Sequence, residues 1–121
     1  MWYLPAMLGY FAGAFVWGLT KAVGSGAMRS HNSLAGFGAA ELVEELQFRT
    51  GIERMGLRQL FPPGTARVLS AVAFGAIHPG HELDAALGGI LYSHAYDKGG
   101  LLGSTVAHLC HNLGVYLGAK P

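Results

Sequence analysis

From Trp2 to Thr20 the chain runs without a charged side chain, and a helix needs about 20 predominantly apolar residues to cross a bilayer. This stretch constrains the fold more than any other. It lacks the basic start and small-residue cleavage site of a signal peptide, so it reads as a retained N-terminal transmembrane helix, residues 1–23. Trp2 and Tyr3 at one end, with Trp17 and Lys21 near the other, suit the two interfacial belts of such a helix. The rest of the chain agrees, since 51% of its residues are hydrophobic and only 12% are charged. Its 121 residues leave room for four or five crossings or partial crossings. The expectation is therefore all-α: a polytopic membrane bundle of about four to five helices around a polar cavity, integral and multi-pass, in the cell membrane if the source is bacterial. Lipid is the expected surroundings. A net charge of +1 from scattered basic residues gives no nucleic-acid footprint. Cys110, the single cysteine, excludes an internal disulfide and any multi-cysteine zinc site, and reads as an apolar packing residue.

Gly and Pro punctuate the remainder, residues 33–118, which reads as one core domain. Gly24 to Asn32 is a loop by composition, with His31 solvated, and Asn32 or Ser33 caps a helix running through Leu42 and Phe48 to about Arg54. Its second half holds Glu41, Glu44, Glu45, Arg49, Glu53 and Arg54, a charge density that must face protein, cavity or water. Phe61-Pro62-Pro63-Gly64 stops the chain, and a third helix runs from about Thr65 to His78, where Pro79-Gly80 ends it. A fourth, Leu83 to Tyr96, carries Ala85, Ala86, Gly88 and Gly89 for close helix approach. Asp97-Lys98-Gly99-Gly100 is the turn into the last helix, Leu101 to about Gly118.

An ionisable side chain at mid-bilayer costs on the order of 3 kcal/mol, so such residues are functional candidates and tend to face one another. Here they fall on three segments: Glu44, Glu45 and Arg49; His78; and His108, His111 and Asn112. Glu45 and Arg49 are four apart, the favourable order for an intrahelical ion pair, which leaves Glu44, about 100° around the helix, free to point elsewhere. Phe74 and His78 share a face at four apart, as do His108 and Asn112. The other polar residues have plainer readings. His81, Glu82 and Asp84 form a loop mouth with Asp84 as a helix cap, and His94 snorkels to an interface. His111 lines the cavity or packs against it, and Arg54, Arg58 and Arg67 mark one water-facing rim.

Glu44-Glu45-x-x-x-Arg49, Phe74-x-x-x-His78 and His108-x-x-x-Asn112 resemble, in order and type, the three motifs of the CPBP family. That family comprises the type II CAAX prenyl endopeptidases and bacteriocin-processing or immunity proteins. Gly88-Gly89-Ile90-Leu91-Tyr92 and Gly99-Gly100-Leu101-Leu102 look like its approach to the third motif, and the likeness runs from about Ala40 to Gly118. The resemblance implies an intramembrane endopeptidase in which Glu44 and His78 activate a water while His108 and Asn112 bind the oxyanion. Glu45 and Arg49 become a positioning pair and Phe74 a packing support. It implies no cofactor and a peptide or protein substrate, cleaved near its C-terminus in the best-known members. A zinc enzyme using two histidines and a glutamate is the rival mechanism. A non-catalytic binding or immunity protein, a proton relay or transporter, and a homo-oligomer completing its cavity between copies are the other readings.

Overall fold

The computed structural model describes residues 4–29 and 36–121. Trp2, Tyr3, His31, Asn32 and Ser33 lie outside the described residues, and with them the first interfacial belt and the expected helix cap.

Helix α1 is Leu4–Ser25, longer than the uncharged stretch because Lys21, Ala22 and Val23 continue it until Gly26 takes a φ of 67°. Gly36 and Gly38, with φ of 70° and 91°, keep the following chain in a turn, so α2 begins only at Ala39. Helix α2, Ala39–Glu45, then widens into a π-helical segment, Leu46–Gly56, and tightens into a short 3₁₀ turn, Leu57–Gln59. A single α-helix to Arg54 was the expectation. Gly51 and Gly56 sit five residues after Leu46 and Gly51, where a Cβ would stand 3.4 Å from those carbonyl oxygens. Glycine's small size and permissive backbone suit the widened turn, and π segments are frequent at functional sites.

Helix α3, Pro63–Ala76, starts with proline at its first position, where no amide hydrogen is needed. It ends two residues earlier than expected because His78 precedes Pro79, which disfavours helical backbone at position 78. Helix α4, Glu82–Gly118, is broken at Gly100, with φ 66° and ψ −160°. The Tyr92 ring stacks on His108 at 4.6 Å, whereas a straight helix would hold the two about 24 Å apart. The arms 82–99 and 101–118 therefore fold back on each other, and the expected four-residue turn contracts to one glycine.

Helix α1 lies alongside the second arm in the same direction, with Met7 at Gly103, Phe15 at Gly114 and Leu19 at Gly118. The backbones touch: a Cβ on Gly18 would strike the His111 carbonyl, one on Gly114 the Phe15 carbonyl, and one on Gly118 would come within 2.6 Å of the Leu19 carbonyl. Small residues at such seams are how helices associate without large side chains between them.

Buried polar side chains share the interior with an apolar cluster, and many aliphatic side chains are exposed. Glu45, Arg49, Glu53, Ser70, Ser93 and Ser104 are fully buried, around a core of Met7, Phe48, Phe74, Tyr92, Ala95 and Ala107. Leu8, Val16, Val23, Val72, Leu87 and Leu102 are exposed. Among the described residues, Leu4–Ser25 is the one helix long and apolar enough to cross a membrane. Helix length and composition do not carry the multi-pass expectation further, since α3 has 14 residues and α4 bends at Gly100 and carries Glu82, Asp84, Asp97 and Lys98.

The arginines expected on one rim converge on Asp97, whose side chain is partly exposed. Arg54 bonds Asp97 at 2.6 Å, Arg67 bonds it too, and Arg58 stands 3.7 Å away. Beneath them the buried Glu53 accepts from Ser93 Oγ at 2.6 Å, and His94 faces Arg67 at 3.2 Å. Three segments are clamped there by opposite charge.

Candidate active site

Glu44 lies at the end of α2, and one helical step separates its direction from that of Glu45. Its carboxylate stands 3.6 Å from His108 Nε2 and 3.9 Å from His78 Nε2, about a third exposed. At these separations a bridging water, not a direct hydrogen bond, is the natural link.

His78 owes its pose to the early end of α3. Its own amide bonds Gly75 O at 3.0 Å, which leaves the Phe74 carbonyl without the amide a continuing helix would have supplied. His78 Nδ1 fills that place at 2.6 Å, and the Phe74 ring lies 4.5 Å from the imidazole. A carbonyl only accepts, so Nδ1 carries the hydrogen and Nε2 presents a lone pair towards Glu44 in the neutral ring.

His108 is fixed in the same sense from the other side. Its Nδ1 donates to Glu45 Oε2 at 2.9 Å, and the second oxygen of Glu45 accepts from Ser104 and pairs with Arg49 Nε at 3.2 Å. Arg49 donates to Ser70 Oγ at 3.1 Å and lies over the Phe74 ring at 4.8 Å. Burying Glu45 and Arg49 together is tolerable only because each has the other plus further hydrogen bonds. Phe74 also meets Phe48 and His108 edge-on, at 5.2 and 5.7 Å between ring centres.

Asn112, one turn beyond His108, donates through Nδ2 to Glu41 Oε2 at 2.7 Å and meets His111 Nδ1 through Oδ1 at 3.3 Å. An amide nitrogen has two hydrogens, so one remains for a ligand. His78, His108 and Asn112 line a cavity of about 490 Å³ that also takes in Lys21, His81 and Tyr92. That volume falls within the roughly 300–1,000 Å³ of ligand pockets. Glu44 borders the two histidines from the α2 side and does not line the cavity itself.

The seven residues singled out from the sequence thus converge from α2, the π segment, α3 and the second arm of α4. Sequence reasoning missed Tyr92, Ser104 and Ser70, and gave Glu41 no partner. Tyr92 could have been found by its place in the Gly88-to-Tyr92 motif, whereas a serine in an apolar helix gives no signal. Asp84, expected as a helix cap, makes no cap and pairs with Lys21 at 3.5 Å. No three His, Cys, Asp or Glu side chains among the described residues are grouped to hold a metal ion. Glu44, His78 and His108, the set that a zinc reading needs, are therefore not grouped as ligands in this arrangement.

The family model described as type II CAAX prenyl endopeptidase Rce1-like matches residues 27–114. No curated protein and no solved structure matches the chain.

Proposed function

This chain belongs to the type II CAAX prenyl endopeptidase Rce1-like family, and from that premise we propose that it is an intramembrane endopeptidase whose nucleophile is a water activated by Glu44. The observation that carries the reading is the posture of the two histidines. Each has its Nδ1 committed to an acceptor, Phe74 O or Glu45, and each turns Nε2 towards the Glu44 carboxylate.

A water held between Glu44 and His78 gives its proton to the carboxylate as its oxygen attacks the scissile carbonyl carbon. The carbonyl oxygen becomes an oxyanion, taken up by His108 Nε2–H and the spare amide hydrogen of Asn112. Donation from His108 requires the imidazolium form, whose charge lies between the carboxylates of Glu44 and Glu45. Each such donor is worth about 3 kcal/mol of transition-state stabilisation. Glu44 then returns the proton to the leaving amine, so the base of the first step is the acid of the second. Glu45 and Arg49 hold His108, and Phe74 holds His78.

The surroundings are lipid. Charged and hydroxyl side chains inside with Leu and Val outside is the arrangement a bilayer favours, and α1 has the length to cross it. We assign the shorter helices to the same membrane domain, packed around α1 and screened from lipid on their polar faces. The substrate is a peptide presented at the membrane, cut near its C-terminus.

The test is cleavage of membrane-inserted peptides by the purified chain in lipid vesicles. Glu44→Gln and His78→Ala are each expected to lower the rate at least about 100-fold. Full activity in Glu44→Gln would sink the assignment, and a pH-driven flux without proteolysis would replace it with a proton pathway.

A further inference from the structure

Four contacts around Asn112 have directions that chemistry forces. Lys21 Nζ stands 3.2 Å from His111 Nε2, and an ammonium only donates, so Nε2 is the acceptor and the neutral ring carries its hydrogen on Nδ1. That hydrogen faces Asn112 Oδ1 at 3.3 Å. The amide oxygen is thereby identified, and the nitrogen on its other side donates to Glu41 Oε2 at 2.7 Å. The remaining oxygen of Glu41 accepts from the Gly38 amide at 2.7 Å. Lys21 is anchored in turn, 3.5 Å from Asp84 and 5.4 Å from the centre of the Trp17 ring, which itself lies 4.9 Å from His111.

We propose that Lys21, His111 and Glu41 are positioning residues that set which way the Asn112 amide faces, so that its spare N–H points into the catalytic cavity. This rests on the endopeptidase reading above and deepens it. Without His111 and Glu41, the amide could turn over and present its oxygen to the oxyanion, converting a donor into a repelling dipole. Lys21 acts one step back by choosing the His111 tautomer. Lys21 and Trp17 belong to α1, which precedes the matched residues 27–114. The first helix is therefore part of the active site as well as a membrane span. Gly38 matters too, because its φ of 91° delivers the amide that holds Glu41 and suits no side-chain-bearing residue.

The experiment has two arms. In the first, ring ¹⁵N spectra of the full chain in detergent report the His111 tautomer without any need for activity. Nδ1–H is expected in wild type, with Nε2–H appearing in Lys21→Met; Nε2–H in wild type overturns the proposal whatever the protein's reaction. In the second, steady-state cleavage is measured for His111→Phe, which keeps the ring against Trp17, for His111→Asn, which restores a donor near Nδ1, and for Glu41→Gln. His111→Phe and Glu41→Gln should lower kcat about 10- to 100-fold with KM unchanged, and His111→Asn should recover most of it. Added to Asn112→Ala, His111→Phe should cost nothing more. An equal loss on that background, or loss of KM in place of kcat, would show that His111 acts on its own and overturn the proposal.

Discussion

Adjacent glutamates can take opposite duties when one helical step turns a side chain through about 100°. Glu45 is fully buried and serves Arg49, Ser104 and His108, while Glu44 is a third exposed and, among the described residues, stands 3.6 and 3.9 Å from His108 and His78. Their substitutions should therefore separate stability from activity. Glu45→Gln leaves the Arg49 guanidinium buried without its counter-charge and should cost about 3–5 kcal/mol in denaturant unfolding, whereas Glu44→Gln should unfold within about 0.5 kcal/mol of wild type. Equal stability in both variants would contradict the division of roles. The i,i+4 spacing of Glu45 and Arg49 made their pairing readable from the sequence, and it also left Glu44 free. The hold of Glu45 on His108, 63 residues away in the chain, had no local signal, nor did the amide of Asn112 facing Glu41.

At the scale of elements, boundaries were legible where proline or glycine forces them and less so elsewhere. Pro63 and Pro79 bracket α3 to within two residues, and Gly100 marks the bend in α4. The π segment was not legible, since neither Gly51 nor Gly56 signals in the sequence how wide the turn around it becomes. Nor was the α1 seam, whose close approach depends on glycines of two distant segments meeting. Gly114→Leu should part α1 from the second arm and lower stability by about 1–3 kcal/mol, read as a fall in the unfolding midpoint. The charge clamp at the Gly100 bend predicts a pH response. Burial raises the pKa of Asp97, but the Arg54 hydrogen bond and the charges of Arg67 and Arg54 outweigh it and hold the group below its ordinary 3.8. A depressed carboxylate contributes stability above the unfolded pKa and loses it as pH falls through the folded value. Wild type should thus lose stability below about pH 4 relative to neutral pH, and Asp97→Asn should lose about 1 kcal/mol at pH 7 and show less of this acid response. An acid limb unchanged in the variant would remove Asp97 from the account.

For the molecule as a whole, buried charged and hydroxyl side chains with exposed aliphatic ones suit the lipid surroundings proposed above, where backbone and charge have to be satisfied within the protein. That constraint was visible as a chain half apolar in which the charged residues cluster on few segments. A span beyond α1 is legible neither in the sequence nor in the described helices, because α3 is short and α4 is bent and charged. The cavity concentrates the central claim, which is that hydrolysis runs on a glutamate-activated water. The most direct test is the cleavage rate of a membrane-inserted peptide by wild type and Glu44→Gln, each with and without a metal chelator. The account predicts wild-type cleavage that the chelator leaves intact and that Glu44→Gln abolishes. Cleavage lost on chelation and restored by zinc would contradict it and turn Glu44, His78 and His108 into metal ligands.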